Sequence, residues 1–253
     1  MKGRGLKGGF FAALLFFLFC VLSLPAAAGE RITVAGASDL AFAFKEIAQE
    51  FEKDTGVGVV LSLGSTGMLT KQIEHGAPFD AFFAANISYI DGLAEGGYVV
   101  PDTVEVYAVG RLVLAVNRAS GVEAKGLAGL AGPRIKRVAI ANPAHAPYGA
   151  AAMEALKSAG LWESVKPKLV YGENIRQTLQ FIQTGDAEAG IVALSIADVP
   201  EISHTVIDFR LHNRITQAAA VVRGSKNERA ARDFIRYVNG PKGRPIMEKY
   251  GFT

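Results

Sequence analysis

Residues 32–56 read ITVAGASDLAFAFKEIAQEFEKDTG, and this stretch decides the fold class. Ile32 to Ala35 is a short apolar run of strand type. Gly36-Ala37-Ser38-Asp39 is a turn of small and polar residues, and Leu40, Phe44, Ile47, Ala48 and Phe51 then repeat at helical spacing until Gly56 stops them. A strand that passes at once into an amphipathic helix is half of a βαβ unit. The next residues repeat the pattern: Val57 to Leu63 is a second strand, a helix carrying Leu69 and Ile73 ends at Gly76, and Phe79 to Ala84 is a third strand. Such alternation predicts parallel βαβ units rather than a sandwich.

The pattern pauses near Pro101 and restarts. Leu112 to Val116 is an apolar strand, and residues 117–133 are rich in Gly and Ala without clear periodicity. Val138 to Ala141 opens a second series, with helices near 149–159 and 174–184 and a strand at Ala189 to Leu194. Ile215 to Val222 is a late strand, and helices at Glu228 to Val238 and Gly243 to Tyr250 close the chain. Two α/β series of similar size predict two lobes joined by two hinge strands, where the chain crosses near 107–116 and again near 215–222. Lobe 1 is expected at residues 29–110, lobe 2 at 111–218, with 219–253 returning to lobe 1. The length suits two lobes of about 100 residues each.

Residues 1–28 are set apart from this fold. Lys2, Arg4 and Lys7 precede an apolar run from Phe10 to Leu24, and Ala26-Ala27-Ala28 offers a small-residue cleavage site. The run is shorter than the roughly 20 residues of a spanning helix, so a cleaved signal peptide is expected, with the mature chain beginning near Gly29 after Ala28. The mature protein is expected to be exported. Leu18-Phe19-Cys20 lacks the small residue that precedes a lipidated cysteine. Of 27 Lys+Arg, three fall in this leader, whereas none of the 24 acidic residues does, so the remainder is balanced in charge. A pI of 8.9 therefore does not indicate nucleic acid. Cys20 is the single cysteine, which leaves the mature chain without disulfides, thiolate metal sites or a cysteine nucleophile.

Four places stand out where a strand ends in small or polar residues and a helix begins: Gly36-Ala37-Ser38-Asp39, Gly64-Ser65-Thr66-Gly67, His145-Ala146-Pro147-Tyr148-Gly149 and Gly172-Glu173-Asn174-Ile175. Each leaves free backbone N–H groups at a helix N-terminus, which favours an anion without a lysine. In open α/β sheets ligands collect at the carboxyl ends of strands, and two of these loops belong to each half. Taken singly, each loop reads as plain capping, by Ser38 or Asp39, by Thr66, or by Asn174. Their joint occurrence argues for an anion bridging the lobes. Arg176 is the base beside the loops, and its place at the second position of a helix marks it as a solvated side chain rather than a ligand.

The run Ile32 to Ser38, the stretch Gly64-Ser65-Thr66-Gly67 with Leu69 and Gln72-Ile73-Glu74, and Gly76-Ala77-Pro78-Phe79-Asp80 resemble the periplasmic molybdate-binding proteins of ABC transporters. Asn142 to Gly149, Gly190-Ile191-Val192 and Lys249-Tyr250-Gly251-Phe252 extend the resemblance over nearly the whole mature chain. It implies a bilobal periplasmic-binding-protein fold of type II and a ligand of molybdate or tungstate held by uncharged donors. It implies hydroxyl donors at Ser38 and Thr66, with Ser65 adjacent, and backbone N–H donors at Tyr148 and Ile175. It also implies an ABC permease as partner. A monomer with no resident cofactor, no protein-bound metal cation and no nucleic-acid partner is expected.

One position departs from the family pattern. Many members carry a tyrosine directly after the Gly-Ile-Val strand, where this chain has Ala193, and Tyr148 stands where they often have alanine. Tyr148 is accordingly expected to supply the missing phenolic donor. Asp39 is awkward beside a dianion unless it points away or accepts a proton from the ligand, which makes hydrogen phosphate the competing ligand and sulfate a further one. A site of donors without acceptors favours a fully ionised oxyanion. A secreted enzyme is the rival class, yet there is no Gly-x-Ser-x-Gly elbow, Walker loop, Rossmann glycine pattern or His-Glu-x-x-His motif. His75, His145, His204 and His212 lack metal-ligand spacing, and a rim role is expected for His145.

Overall fold

The computed structural model describes residues 30–253. The expected signal peptide at 1–28, its cleavage near Ala28 and Gly29, and Cys20 lie outside the described residues. Ten strands form two five-stranded sheets. The first takes β1 (Arg31–Ala37), β2 (Gly58–Gly64), β3 (Ala81–Ala84), β4 (Glu105–Gly110) and β10 (Ile215–Val221) in the order β2-β1-β3-β10-β4. The second takes β5 (Leu112–Asn117), β6 (Val138–Ala141), β7 (Leu169–Gly172), β8 (Ala189–Ala193) and β9 (Ile202–Val206) in the order β7-β6-β8-β5-β9. Both repeat one plan. Three parallel strands are followed by an antiparallel one, β10 beside β3 in the first sheet and β5 beside β8 in the second.

Helices cover both sheets for the reason the periodicity gives. α1 (Ala41–Thr55) buries Phe44, Ile47 and Phe51 and stops at Gly56, whose φ of 75° is the left-handed conformation of a helix C-cap. α2 (Thr66–Glu74) and α3 (Ile87–Glu95) complete the first series, and α4 (Pro147–Ser158), α5 (Trp162–Val165) and α6 (Ile175–Gln183) belong to the second. The terminal helices α7 (Glu228–Asn239) and α8 (Gly243–Lys249) return to the first lobe. There Phe234 meets Phe44 and Phe51 edge to face, at centroid distances of 5.7 and 5.1 Å, and Phe44 meets Phe83 at 4.8 Å. Edge-to-face pairs of this kind add about 0.5–1.5 kcal/mol each beyond burial. The core of the second lobe is aliphatic instead, with every residue of β5 and β8 buried.

The first crossing is abrupt. β4 ends at Gly110 and β5 begins at Leu112, so Arg111 is the one residue between the lobes. The chain returns through β10, which enters the first sheet whole from Ile215, earlier than the return expected at 219. Four elements were not foreseen, the short helix α5 among them. β4 lies in the stretch read as irregular, and α3 is a short helix carrying two buried apolar residues, Ile90 and Leu93. β9 is an edge strand with only Ile202 buried, so its sequence carries no apolar alternation. Among the described residues no helix is long and apolar enough to cross a membrane.

Candidate binding site between the lobes

The site is built where the carboxyl ends of β1, β2, β6 and β7 face one another. Ser38 follows β1 and opens a short 3-10 turn, Ser38–Leu40, which leads into α1. Its Oγ donates across the cleft to Asn174 Oδ1 at 3.3 Å. Asn174 is the N-cap of α6, accepting from the N–H groups of Arg176 and Gln177 at 3.0 and 3.1 Å. The plain capping role therefore holds for this residue, which leaves the next amide, that of Ile175, without a protein acceptor among the described residues.

Thr66 starts α2, is buried, and accepts the N–H of Ala85 on its Oγ1 at 3.1 Å. Its hydroxyl proton is thereby left to donate elsewhere. Ser65 is engaged differently: its Oγ lies 2.9 Å from Nδ1 of His145, whose carbonyl accepts from Gly67 N–H at 2.8 Å. Ser65 and His145 thus fasten the two lobes along the rim. Opposite them α4 begins at Pro147, which has no N–H. Gly149 and Ala150 both donate to Ala146 O, and the amide of Tyr148 has no protein acceptor among the described residues. Gly149 permits this approach, because a Cβ there would stand 2.1 Å from the Ala141 carbonyl.

All six expected site residues, Ser38, Asp39, Ser65, Thr66, Tyr148 and Ile175, are buried at this junction. Arg176 is exposed, so no cation stands among them. Among the described residues no group of His, Cys, Asp and Glu is placed to hold a metal ion.

The side chain of Tyr148 departs from its expected part. Its hydroxyl donates to Asp39 Oδ2 at 2.8 Å and accepts from Gln217 Nε2 at 2.9 Å. A phenol has one proton, and Asp39 takes it, so this side chain does not replace the tyrosine absent at Ala193 as an anion donor. Gln217 also donates to Asp39 Oδ2 at 2.7 Å, and its own Oε1 accepts from Tyr107 Oη at 2.6 Å. Ser195 Oγ donates to the Asp39 carbonyl at 2.8 Å. Gly110 makes room for this network at the crossing: a Cβ there would lie 2.1 Å from Tyr148 Oη and 2.8 Å from Gln217 Nε2.

Asp39 is wholly buried, and its Oδ1 has no hydrogen-bond partner among the described residues. Burial pushes its carboxyl up to about 6, against the opposing pull of the bonds from Gln217 and Tyr148. Burial, and then the Asp39 charge, push the Tyr107 and Tyr148 phenols well above their ordinary value, so both remain protonated donors. Sequence reading missed Gln217, Tyr107 and Ser195. For Gln217 a signal existed: it is a polar residue inside the apolar strand ITQAAAV, and such a residue needs partners when buried.

Residues 32–253 match the family described as bacterial extracellular solute-binding protein. The chain belongs to that family. It is similar to the molybdate-binding protein ModA of Azotobacter vinelandii, with 39% identity over 90% of this chain and 91% of that protein. Against ModA of Rhodobacter capsulatus the identity is 37%, over 92% of this chain and 91% of that protein. The solved periplasmic molybdate-binding protein of Azotobacter vinelandii superposes with a TM-score of 0.82 at 30% identity, covering 88% of this chain and 98% of that chain. The bilobal type II architecture is thus common to this solute-binding protein and its solved relative.

Proposed function

We propose that this solute-binding protein captures molybdate, and tungstate with it, between its lobes outside the cytoplasm and delivers the anion to an ABC permease. It performs no chemistry on the ligand and works as a monomer without a resident cofactor. The observation that carries this reading is the donor set. The Tyr148 and Ile175 amides and the Thr66 hydroxyl proton are uncommitted at the meeting of the lobes, Ser38 Oγ is held there by a long bond, and among the described residues no cationic side chain is buried with them, Arg176 standing at the exposed edge of the cavity that Ser38 lines. A buried dianion recovers its hydration from such donors, and helix N-termini supply them with the dipole aligned. The names of the relatives supply the ligand. Export follows from the leader at residues 1–28 and from the family.

A second reading rests on Asp39. Its unpartnered Oδ1 is an acceptor beside Ser38, and hydrogen phosphate has a proton to offer it where molybdate near neutral pH has none. Thermal shifts and titration calorimetry against molybdate, tungstate, sulfate, phosphate and a panel of small carboxylates separate the two. Molybdate and tungstate are expected to stabilise the protein and sulfate and phosphate are not. A response confined to phosphate overturns the first reading in favour of the second.

A further inference from the structure

Asp39 is an acid placed where the site should repel one. Its carboxyl is buried at the lobe junction, and the groups that bury and bind it come from both sides. Gln217 and Tyr107 belong to β10 and β4 of the first lobe; Tyr148 and Ser195 belong to α4 and the turn after β8 in the second. Oδ2 already accepts two side-chain hydrogen bonds, whereas Oδ1 has no partner in hydrogen-bond geometry, the nearby Asp39 and Leu40 backbone N–H groups adding a lesser pull toward the charged form. That asymmetry fits a neutral acid, with Oδ2 as the carbonyl oxygen and Oδ1 as the oxygen able to carry a proton. We infer that closure of the lobes on an oxyanion draws one proton from solvent onto Asp39, so that anion capture is coupled to proton uptake. The step forms the Oδ1–H bond of Asp39 at the expense of a solvent or buffer acid, and the ligand keeps its own charge.

The surroundings supply no competing base. Tyr107 and Tyr148 are the titratable groups in its hydrogen-bonded network, and both stay protonated. The turn that carries Asp39 packs on α1, α6, β2 and the Leu194–Ile196 turn. β2 and that turn hold no ionisable residue, and Arg176, the single one on α6, is exposed. On α1, Lys45 is exposed and Glu46 is paired with Lys249; Glu50 is paired with Lys53, and Glu52 and Asp54 lie in the exposed last turns. With the lobes apart, the bonds from Tyr148 and Ser195 are lost and water reaches the carboxyl, returning it towards its ordinary range. In the closed arrangement described it stands at about 6, chiefly through burial, and an adjacent dianion favours the proton further.

The sign follows. The closed state binds the extra proton, so affinity is greatest at low pH and is lost as pH rises through the closed-state value. Between the ordinary carboxyl value of 3.8 and about 6 the affinity falls by up to roughly tenfold per pH unit, about 100-fold in all.

The inference rests on the oxyanion reading above, and one calorimetric experiment tells their failures apart. Molybdate binding is titrated near pH 6 in buffers of different ionisation enthalpy, for the parent, Asp39→Asn and Tyr148→Phe. The expected result is net uptake of at least half a proton per anion in the parent and none in Asp39→Asn. In Tyr148→Phe the uptake persists to higher pH, because a bond favouring the carboxylate has gone. Molybdate binding without proton uptake in the parent, or with the same uptake in Asp39→Asn, overturns the inference and leaves the ligand reading intact. Binding of none of molybdate, tungstate, sulfate or phosphate overturns both.

Discussion

Replacing Gln217 by leucine removes the centre of the buried network while keeping a side chain of similar size. Gln217 is fully buried and holds three partners, accepting from Tyr107 and donating to Asp39 and Tyr148. After the change, the Tyr107 hydroxyl is left with the Ala84 carbonyl at 3.4 Å, a poor bond, and Asp39 keeps only Tyr148. Leaving a buried polar group short of a partner costs about 1–3 kcal/mol, so two such losses come to about 3–4 kcal/mol. For a chain of this size that lowers Tm by roughly 6–16 °C. The loss also depends on pH in a defined direction. The Gln217 bond is the largest of the contributions that lower the Asp39 value, so its removal raises that value above the present 6 or so. The variant then gains stability relative to the parent as pH falls through this range, because a neutral acid needs the missing donor less. Urea denaturation with saturating molybdate, which holds the lobes closed, at about pH 8 and about pH 5 measures both quantities. A loss below about 1 kcal/mol at the higher pH, or a deficit that grows on acidification, would refute the idea that Gln217 supports a buried carboxylate.

With saturating molybdate holding the lobes closed, Asp39→Asn is expected to be more stable than the parent at neutral pH, by up to roughly 3 kcal/mol, since the closed-state value of about 6 exceeds the ordinary 3.8. The gain shrinks as pH falls from 6 towards 4, and paired urea titrations across that window follow it. Gly110→Ala drives a methyl group into Tyr148 Oη and Gln217 Nε2 at the crossing, an overpacking cost of about 1–3 kcal/mol. Small-angle scattering with saturating ligand should then show a more open particle than the parent gives; an unchanged closed profile counts against the role of this glycine. Ser38→Ala loses only a long 3.3 Å bond to Asn174 in the protein, so stability stays within about 0.5 kcal/mol. Anion affinity falls about 10- to 100-fold if the hydroxyl donates to a charged ligand, and calorimetry reads the ratio.

The parts of the site that are local in sequence were legible, and the parts made by tertiary contact were not. Ser38, Thr66, Tyr148 and Ile175 announce themselves because each follows a strand end and opens a helix within a few residues. Asp39 and Gln217 are 178 positions apart, and nothing in the chain near Asp39 says which distant donor will meet it. Tyr148 shows the same limit in one residue: its amide is set by the local helix start, whereas its hydroxyl goes where the packing of β4 and β10 sends it. β9 escaped because an exposed edge strand has no buried face to impose alternation, and the periodicity that exposed α1 and β1 depends on such a face.

The placement of β10 between β3 and β4 orders the assembly of the molecule in time. β10 is reached only after the whole second lobe has been traversed, so β4 has no neighbour in its sheet until Ile215–Val221 arrives. The second lobe, by contrast, is one unbroken segment from β5 to β9 and can close its own sheet first. Contacts of such long sequence separation form slowly. Completion of the first sheet therefore waits for the same strand that brings Gln217 to Asp39. Cutting the molecule at the Gly110–Leu112 crossing gives one piece able to complete its sheet and another that lacks β10, one of its five strands, and with it the neighbour of β4.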